Sequence, residues 1–103
     1  MESLPVVPAA CNLDLDGLRA QRDRWAVVGR GARMVERQRR RVAVQLAPDA
    51  DVDTVTEMLA VERRCCPFFG LDWDPEQRLL RVAVADAKHE PALDAIAYAL
   101  GLE

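Results

Sequence analysis

The sequence predicts an α+β fold: one domain built on an antiparallel sheet of three to four strands, covered on one face by helices, in the order α-ββ-α-ββ-α. Three observations predict it. Val42, Val44 and Leu46 alternate with Ala43 and Gln45, and two later runs, Phe69-Leu71-Trp73 and Leu80-Val82-Val84, repeat that period of two. Around these runs lie three stretches whose apolar residues recur at helical spacing. Half of the 103 residues are hydrophobic, enough for one core, and with five aromatics that core must be mainly aliphatic.

Taken in order, residues 1–13 read as an extended arm, because Pro5 and Pro8 bias their neighbours away from helix. Residues 14–103 form the α+β domain. Asp14 is a plausible N-cap for a first helix carrying Leu15, Leu18, Trp25 and Val28, with Asp16 in the favourable first turn. Gly29-Arg30-Gly31 is expected to end it with a glycine in the left-handed conformation. Met34–Arg37 reads as a short edge strand, and Arg37-Gln38-Arg39-Arg40-Arg41 as a solvated hairpin tip before the strand ending at Leu46. Pro48-Asp49-Ala50-Asp51 supplies a turn and a cap for the second helix. That helix sets Val52, Val55, Met58, Leu59 and Glu62 on one side and must stop near Cys65, since Pro67 disfavours helical backbone at Cys66. Asp74-Pro75-Glu76-Gln77 suits the turn of the second hairpin. Pro91 fits the first turn of the last helix, Leu93, Ile96, Ala97 and Leu100 its buried stripe, and Gly101 its end. Two successive ββα units permit a pseudo-symmetry without any convincing sequence repeat.

The net charge of −3 is unevenly spread: residues 1–48 carry +4 and residues 49–103 carry −7. A basic half is one mark of nucleic-acid binding, but Lys88 is the sole lysine, and the composition does not favour a nucleic-acid partner. No run approaches the roughly 20 apolar residues of a membrane helix. The leading segment carries Glu2, two prolines and no base, so an export signal is not expected and the chain reads as cytoplasmic. In that compartment three cysteines are better read as free thiols, metal ligands or redox groups than as structural disulfides.

The chemistry concentrates in Glu62-Arg63-Arg64-Cys65-Cys66-Pro67-Phe68-Phe69. On a helix Glu62 lies three residues before Cys65 and four before Cys66, so all three can share a side. Two adjacent thiols readily share a soft cation, since thiolates select Cu(I), zinc and similar ions over magnesium or calcium. Mercury would suit two thiolates and trivalent arsenic three. Cys11 is the natural third ligand if the arm folds back over the end of the second helix. Zinc would want a fourth donor, from Glu62 or His89. The carboxyl end of a helix disfavours a thiolate, which counts against an activated nucleophile there.

Each of these residues also has a structural reading. Cys65 and Cys66 before Pro-Phe-Phe fit plain core at a helix–strand junction. Glu62 fits a solvated helix face, His89 a surface or capping position, and Trp25 and Trp73 the core.

The segments Val7-Pro8-Ala9-Ala10-Cys11 and Glu62-Arg63-Arg64-Cys65-Cys66-Pro67-Phe68 together resemble a family of small bacterial proteins, common in actinobacteria. These share a Val-Pro-x-Ala-Cys start and a later Glu-x-x-Cys-Cys-Pro-Phe segment followed by a β-hairpin. The resemblance spans almost the whole chain. Members carry labels such as uncharacterised, arsenate reductase-like or heavy-metal resistance. It implies that Cys11, Cys65 and Cys66 form one site. The Cys-x5-Arg oxyanion loop of low-molecular-weight arsenate reductases is absent: six residues beyond Cys11, Cys65 and Cys66 stand Gly17, Leu71 and Asp72.

Three functions follow as expectations. The first is a protein binding mercury, trivalent arsenic, Cu(I) or zinc through Cys65 and Cys66, with help from Cys11, Glu62 as orienter or auxiliary ligand and His89 as a further candidate. The second is a thiol-based reductase or lyase in which two of these cysteines attack and resolve. The third is a small-molecule or protein interaction module with structural cysteines. No organic cofactor is expected, and an exposed hairpin edge leaves homodimerisation open.

Overall fold

The computed structural model describes residues 14–102. Helix α1 (Leu15–Val28) starts at Asp14, whose carboxylate accepts a 2.7 Å hydrogen bond from the Gly17 N–H. Strands β1 (Arg33–Gln38) and β2 (Arg41–Gln45) form the first hairpin, and helix α2 (Val52–Cys65) follows. Strands β3 (Phe69–Asp74) and β4 (Leu79–Val84) form the second hairpin. A 3₁₀ turn (Ala87–His89) leads into helix α3 (Glu90–Ala99). The element order is the expected one, and the sheet has four antiparallel strands ordered β1-β2-β4-β3.

The alternating residues sort by face as their period requires. Val42, Val44, Leu46, Leu80, Val82 and Val84 are buried against Val55, Met58 and Leu59 of α2, Trp25 and Val28 of α1, and Leu93 and Ile96 of α3. Phe69, Leu71 and Trp73 pack at the margin of that core, where the Trp73 Nε1 is enclosed without a hydrogen-bond acceptor among the described residues. Arg81 and Asp72 pair on β4 and β3, at an exposed cross-strand position.

The end of α1 departs from expectation. Gly29 caps the helix in right-handed geometry, with φ −76°, and it is Gly31 that takes a positive φ of 72°. Gly29 has a different reason to lack a side chain, because a Cβ there would overlap the backbone carbonyl of Leu100. The close approach joins the ends of α1 and α3.

The arginine-rich hairpin tip is exposed along its length, as expected, and two of its arginines are paired across to α3. Arg37 pairs with Asp94, and Arg40 with Glu90 at 3.0 Å, both acids lying on α3. Arg40 also donates to the Ala85 carbonyl at 3.1 Å. Together with Arg24–Glu57 at 3.2 Å, these contacts join the basic first half of the chain to its acidic second half. The charge asymmetry therefore has an internal use.

Strand register decides where the cysteines fall. Phe69 opens β3 opposite Val84, and Arg41 opens β2 opposite Ala83. The start of β3, the end of β4 and the tip of the first hairpin therefore lie at one end of the sheet. The α2–β3 junction, Cys65 to Phe68, and the 3₁₀ turn after β4 belong to that same end. The segment 1–13 and Cys11 within it lie outside the described residues. No described helix is long and apolar enough to cross a membrane.

Candidate functional site

Helix α2 is held at both ends. At its start Asp51 accepts hydrogen bonds from the Thr54 N–H at 3.0 Å and the Thr54 hydroxyl at 2.6 Å. At its finish Cys66 leaves helical geometry, with φ −130° and ψ 74°, as the following proline demands. Its N–H still donates to the Glu62 carbonyl at 2.7 Å, so the last turn stays wound up to the double cysteine. Arg63 reaches from that turn to the Leu71 carbonyl of β3 at 3.1 Å, fixing the junction from outside.

Glu62 is buried, at 8% exposure, and is no solvated surface acid. Its Oε1 accepts hydrogen bonds from the Gln21 side-chain amide at 2.9 Å and the Trp25 indole N–H at 3.0 Å. The same Gln21 nitrogen donates to the Met58 carbonyl at 2.8 Å, and its oxygen accepts from Arg24 at 2.9 Å. A carboxylate removed from water needs such donors, because unpaired burial costs several kcal/mol per charge, on the order of the effective penalties measured in proteins. Here α1 supplies them.

Cys66 contacts Glu62 and is 2% exposed. Burial, then the Glu62 negative charge and hydrogen bonding to Glu62, push its thiol from 9.0 up to about 12. The carboxyl end of α2 acts in the same direction. Cys66 is thus a free, protonated and enclosed thiol at neutral pH.

Cys65 is 6% exposed and is engaged in a disulfide. The two neighbours on the chain therefore differ in state, one bonded and one free. Among the described residues, no group of three or more His, Cys, Asp or Glu side chains is arranged to hold a metal ion. Of the expected ligands, Glu62 and Cys66 are brought into contact, Cys65 adjoins them on the chain, and Cys11 lies outside the described residues.

His89 stands at the N-cap position of α3 but makes no side-chain capping bond. Its ring stacks on Phe68, with centroids 4.1 Å apart and planes inclined by 14°, and Phe68 leans on Phe69 at 4.6 Å. This stack ties the 3₁₀ turn to the residues just after the double cysteine. It gives His89 a packing role at the correct end of the molecule.

Gln21 and Trp25 are the site residues that sequence reasoning did not assign. The signal was present in the stripe Leu18, Gln21, Trp25, Val28, where a polar residue occupies an inward position and the indole brings an N–H needing an acceptor. Glu62 is the matching acid on the inward stripe of α2.

No protein-family model, curated protein or solved structure matches this chain.

Proposed function

We propose that this protein captures a thiophilic metal or metalloid ion, with Cys65 and Cys66 as principal ligands and Cys11 as the third. Glu62 serves as an orienter or auxiliary ligand. The observation that carries this reading is the Cys66–Glu62 pair: a free, buried thiol faces a buried carboxylate directly beside a second cysteine on the chain. Two of the chain's three cysteines, Cys65 and Cys66, stand side by side at the carboxyl end of α2. Soft ions select such donors, and their binding displaces thiol protons. The resemblance of the Glu62–Phe68 segment to proteins associated with heavy-metal resistance points the same way.

The thiol-based reductase is the second reading, and the disulfide at Cys65 is the specific observation that favours it. Against it stands the direction of the Cys66 shift, since attacking cysteines have depressed rather than raised pKa values.

Thermal unfolding of the fully reduced protein across an arsenite titration tests the first reading. A ligand that binds only the folded state stabilises it by about 2.7 kcal/mol at a hundred times its Kd. The melting temperature is expected to climb with arsenite in the native sequence and to stay flat in the Cys65→Ser/Cys66→Ser variant. An unmoved midpoint in the native sequence overturns the reading.

A further inference from the structure

Helix α3 turns one face inward and leaves the other uncovered. Ala92, Leu93, Ile96 and Ala97 are buried, whereas Pro91, Asp94, Ala95 and Tyr98 follow at the spacing of a single outward stripe. Tyr98 is 76% exposed, the most exposed large hydrophobic side chain among the described residues. The amino-terminal half of the same stripe borders an open cleft of about 610 Å³. Arg37, Gln38 and Arg39 of the first hairpin line it on one side, and Ala87, Pro91 and Asp94 on the other. One helix face thus carries both a protruding aromatic ring and a cleft able to receive one. We propose that this face is the interface of a symmetric dimer, in which Tyr98 of each copy enters the cleft of the other.

The spacing along α3 makes the face self-complementary. Tyr98 lies seven residues beyond Pro91, about two turns and roughly 10 Å along the helix. A two-fold axis between them, beside Asp94 and Ala95, sets the two α3 helices antiparallel. Each Tyr98 then stands opposite the other copy's Pro91, the self-matching contact that two-fold symmetry requires. Its ring packs on that proline, and its hydroxyl faces the polar side of the cleft at Gln38 and Arg39. Ala95, next to the axis, is small enough to let the helices approach.

Charge favours the same arrangement. The last turn of α3 carries no basic residue, so its own side chains leave the partial negative charge of the helix end uncompensated. At the hairpin tip, Arg37, Arg40 and Arg41 are held by Asp94, Glu90 and Glu36, and Arg39 makes no ion pair among the described residues. The antiparallel pairing delivers Arg39 of one copy to the carboxyl end of α3 in the other. Asp94, near the axis, is matched by its own Arg37, so its two copies do not meet as bare charges.

Pairing of two β1 edges is the competing symmetric contact, and the strand is irregular where it would form. Its register with β2 shifts between Met34 and Glu36, a bulge of the kind that turns an edge away from strand addition. A helix of ten residues offers a small interface, at the low end of specific contacts, so the dimer is expected to dissociate on dilution.

Sedimentation velocity of the full chain across the micromolar range is the test, with the protein kept reduced so that no intermolecular disulfide contributes. The native sequence is expected to pass from monomer to dimer as its concentration rises. Tyr98→Ala should raise the dimer Kd about tenfold or more, as loss of a central aromatic anchor does. Its circular dichroism and melting temperature should match the native protein's, because the side chain is exposed. Leu15→Ser removes an exposed apolar side chain from α1 and should dimerise as the native sequence does. Under mild oxidation Ala95→Cys should give a disulfide-linked dimer, and Leu15→Cys should not. A native protein that stays monomeric throughout overturns the proposal. So does a dimer whose Kd Tyr98→Ala leaves unmoved, or one that Ala95→Cys fails to cross-link.

Discussion

Glu62 is the residue on which the site turns, because it is the one charge on the buried stripe of α2. It is tolerable there because Gln21 and Trp25 present N–H groups at 2.9 and 3.0 Å. Removing one donor leaves part of a buried acceptor unpaired, which costs about 1–3 kcal/mol. Trp25→Phe keeps most of the ring's packing and deletes the N–H, so urea unfolding should record a loss in that range. A loss under about 0.5 kcal/mol, the scatter of ordinary surface changes, would deny the indole bond its role. Cys66 supplies a second prediction at this scale. Its thiol is raised from 9.0 to about 12, so at pH 8 its thiolate population is about a thousandfold below that of an unperturbed cysteine. Iodoacetamide should modify it slower by about that factor in the folded protein, and at the ordinary rate in urea. Fast modification of folded protein would contradict the enclosed Cys66–Glu62 arrangement. For the same reason, ion affinity should increase with pH, as the displaced proton becomes easier to lose.

At the scale of elements, α2 is a platform with a cap at one end and thiols at the other. Asp51 shows how its start is secured: the Thr54 hydroxyl bond, then the Thr54 N–H bond, lower its carboxyl below the ordinary 3.8. The unfolded chain therefore takes up this proton first as pH falls. The cap's contribution is full above pH 3.8 and fades as pH drops through the lower folded-state value. The stability difference between native protein and Asp51→Ala should accordingly be constant near neutrality and shrink in that acid range. A difference that persists unchanged at pH 2, well below the aspartate reference value of about 3.9, would refute the cap. Most elements were legible because their signals are local: alternation in β2, β3 and β4, aspartates at helix starts, and Pro67 beyond the last turn of α2. The stop at Gly29-Arg30-Gly31 was legible, whereas the close packing at Gly29 was not, because it comes from the Leu100 carbonyl 71 residues onward. The burial of Glu62 was hidden in the same way, since its partners lie 37 to 41 residues away on α1. Its spacing from Cys66 was legible, whereas its donors required the packing of α1 on α2.

Over the whole molecule, the fold brings complementary halves together. Arg24, Arg37 and Arg40 from the basic half meet Glu57, Asp94 and Glu90 from the acidic half. Exposed pairs of this kind are worth about 0–1 kcal/mol each, so they orient the hairpin tip against α3 more than they hold the domain together. The same topology collects the α2–β3 junction, the His89–Phe68 stack and the hairpin tip at one end of the sheet, leaving the second hairpin's turn at the other. What that end does depends on whether its thiols act jointly on one ion. The direct measurement is native mass spectrometry of reduced protein exposed separately to zinc, Cu(I), Hg(II) and arsenite, alongside Cys11→Ser, Cys66→Ser and Cys65→Ser/Cys66→Ser. The account predicts one ion per chain for at least one of these probes, weakened in either single variant and lost in the double variant. An absence of adducts, or an adduct unchanged in the double variant, would contradict it.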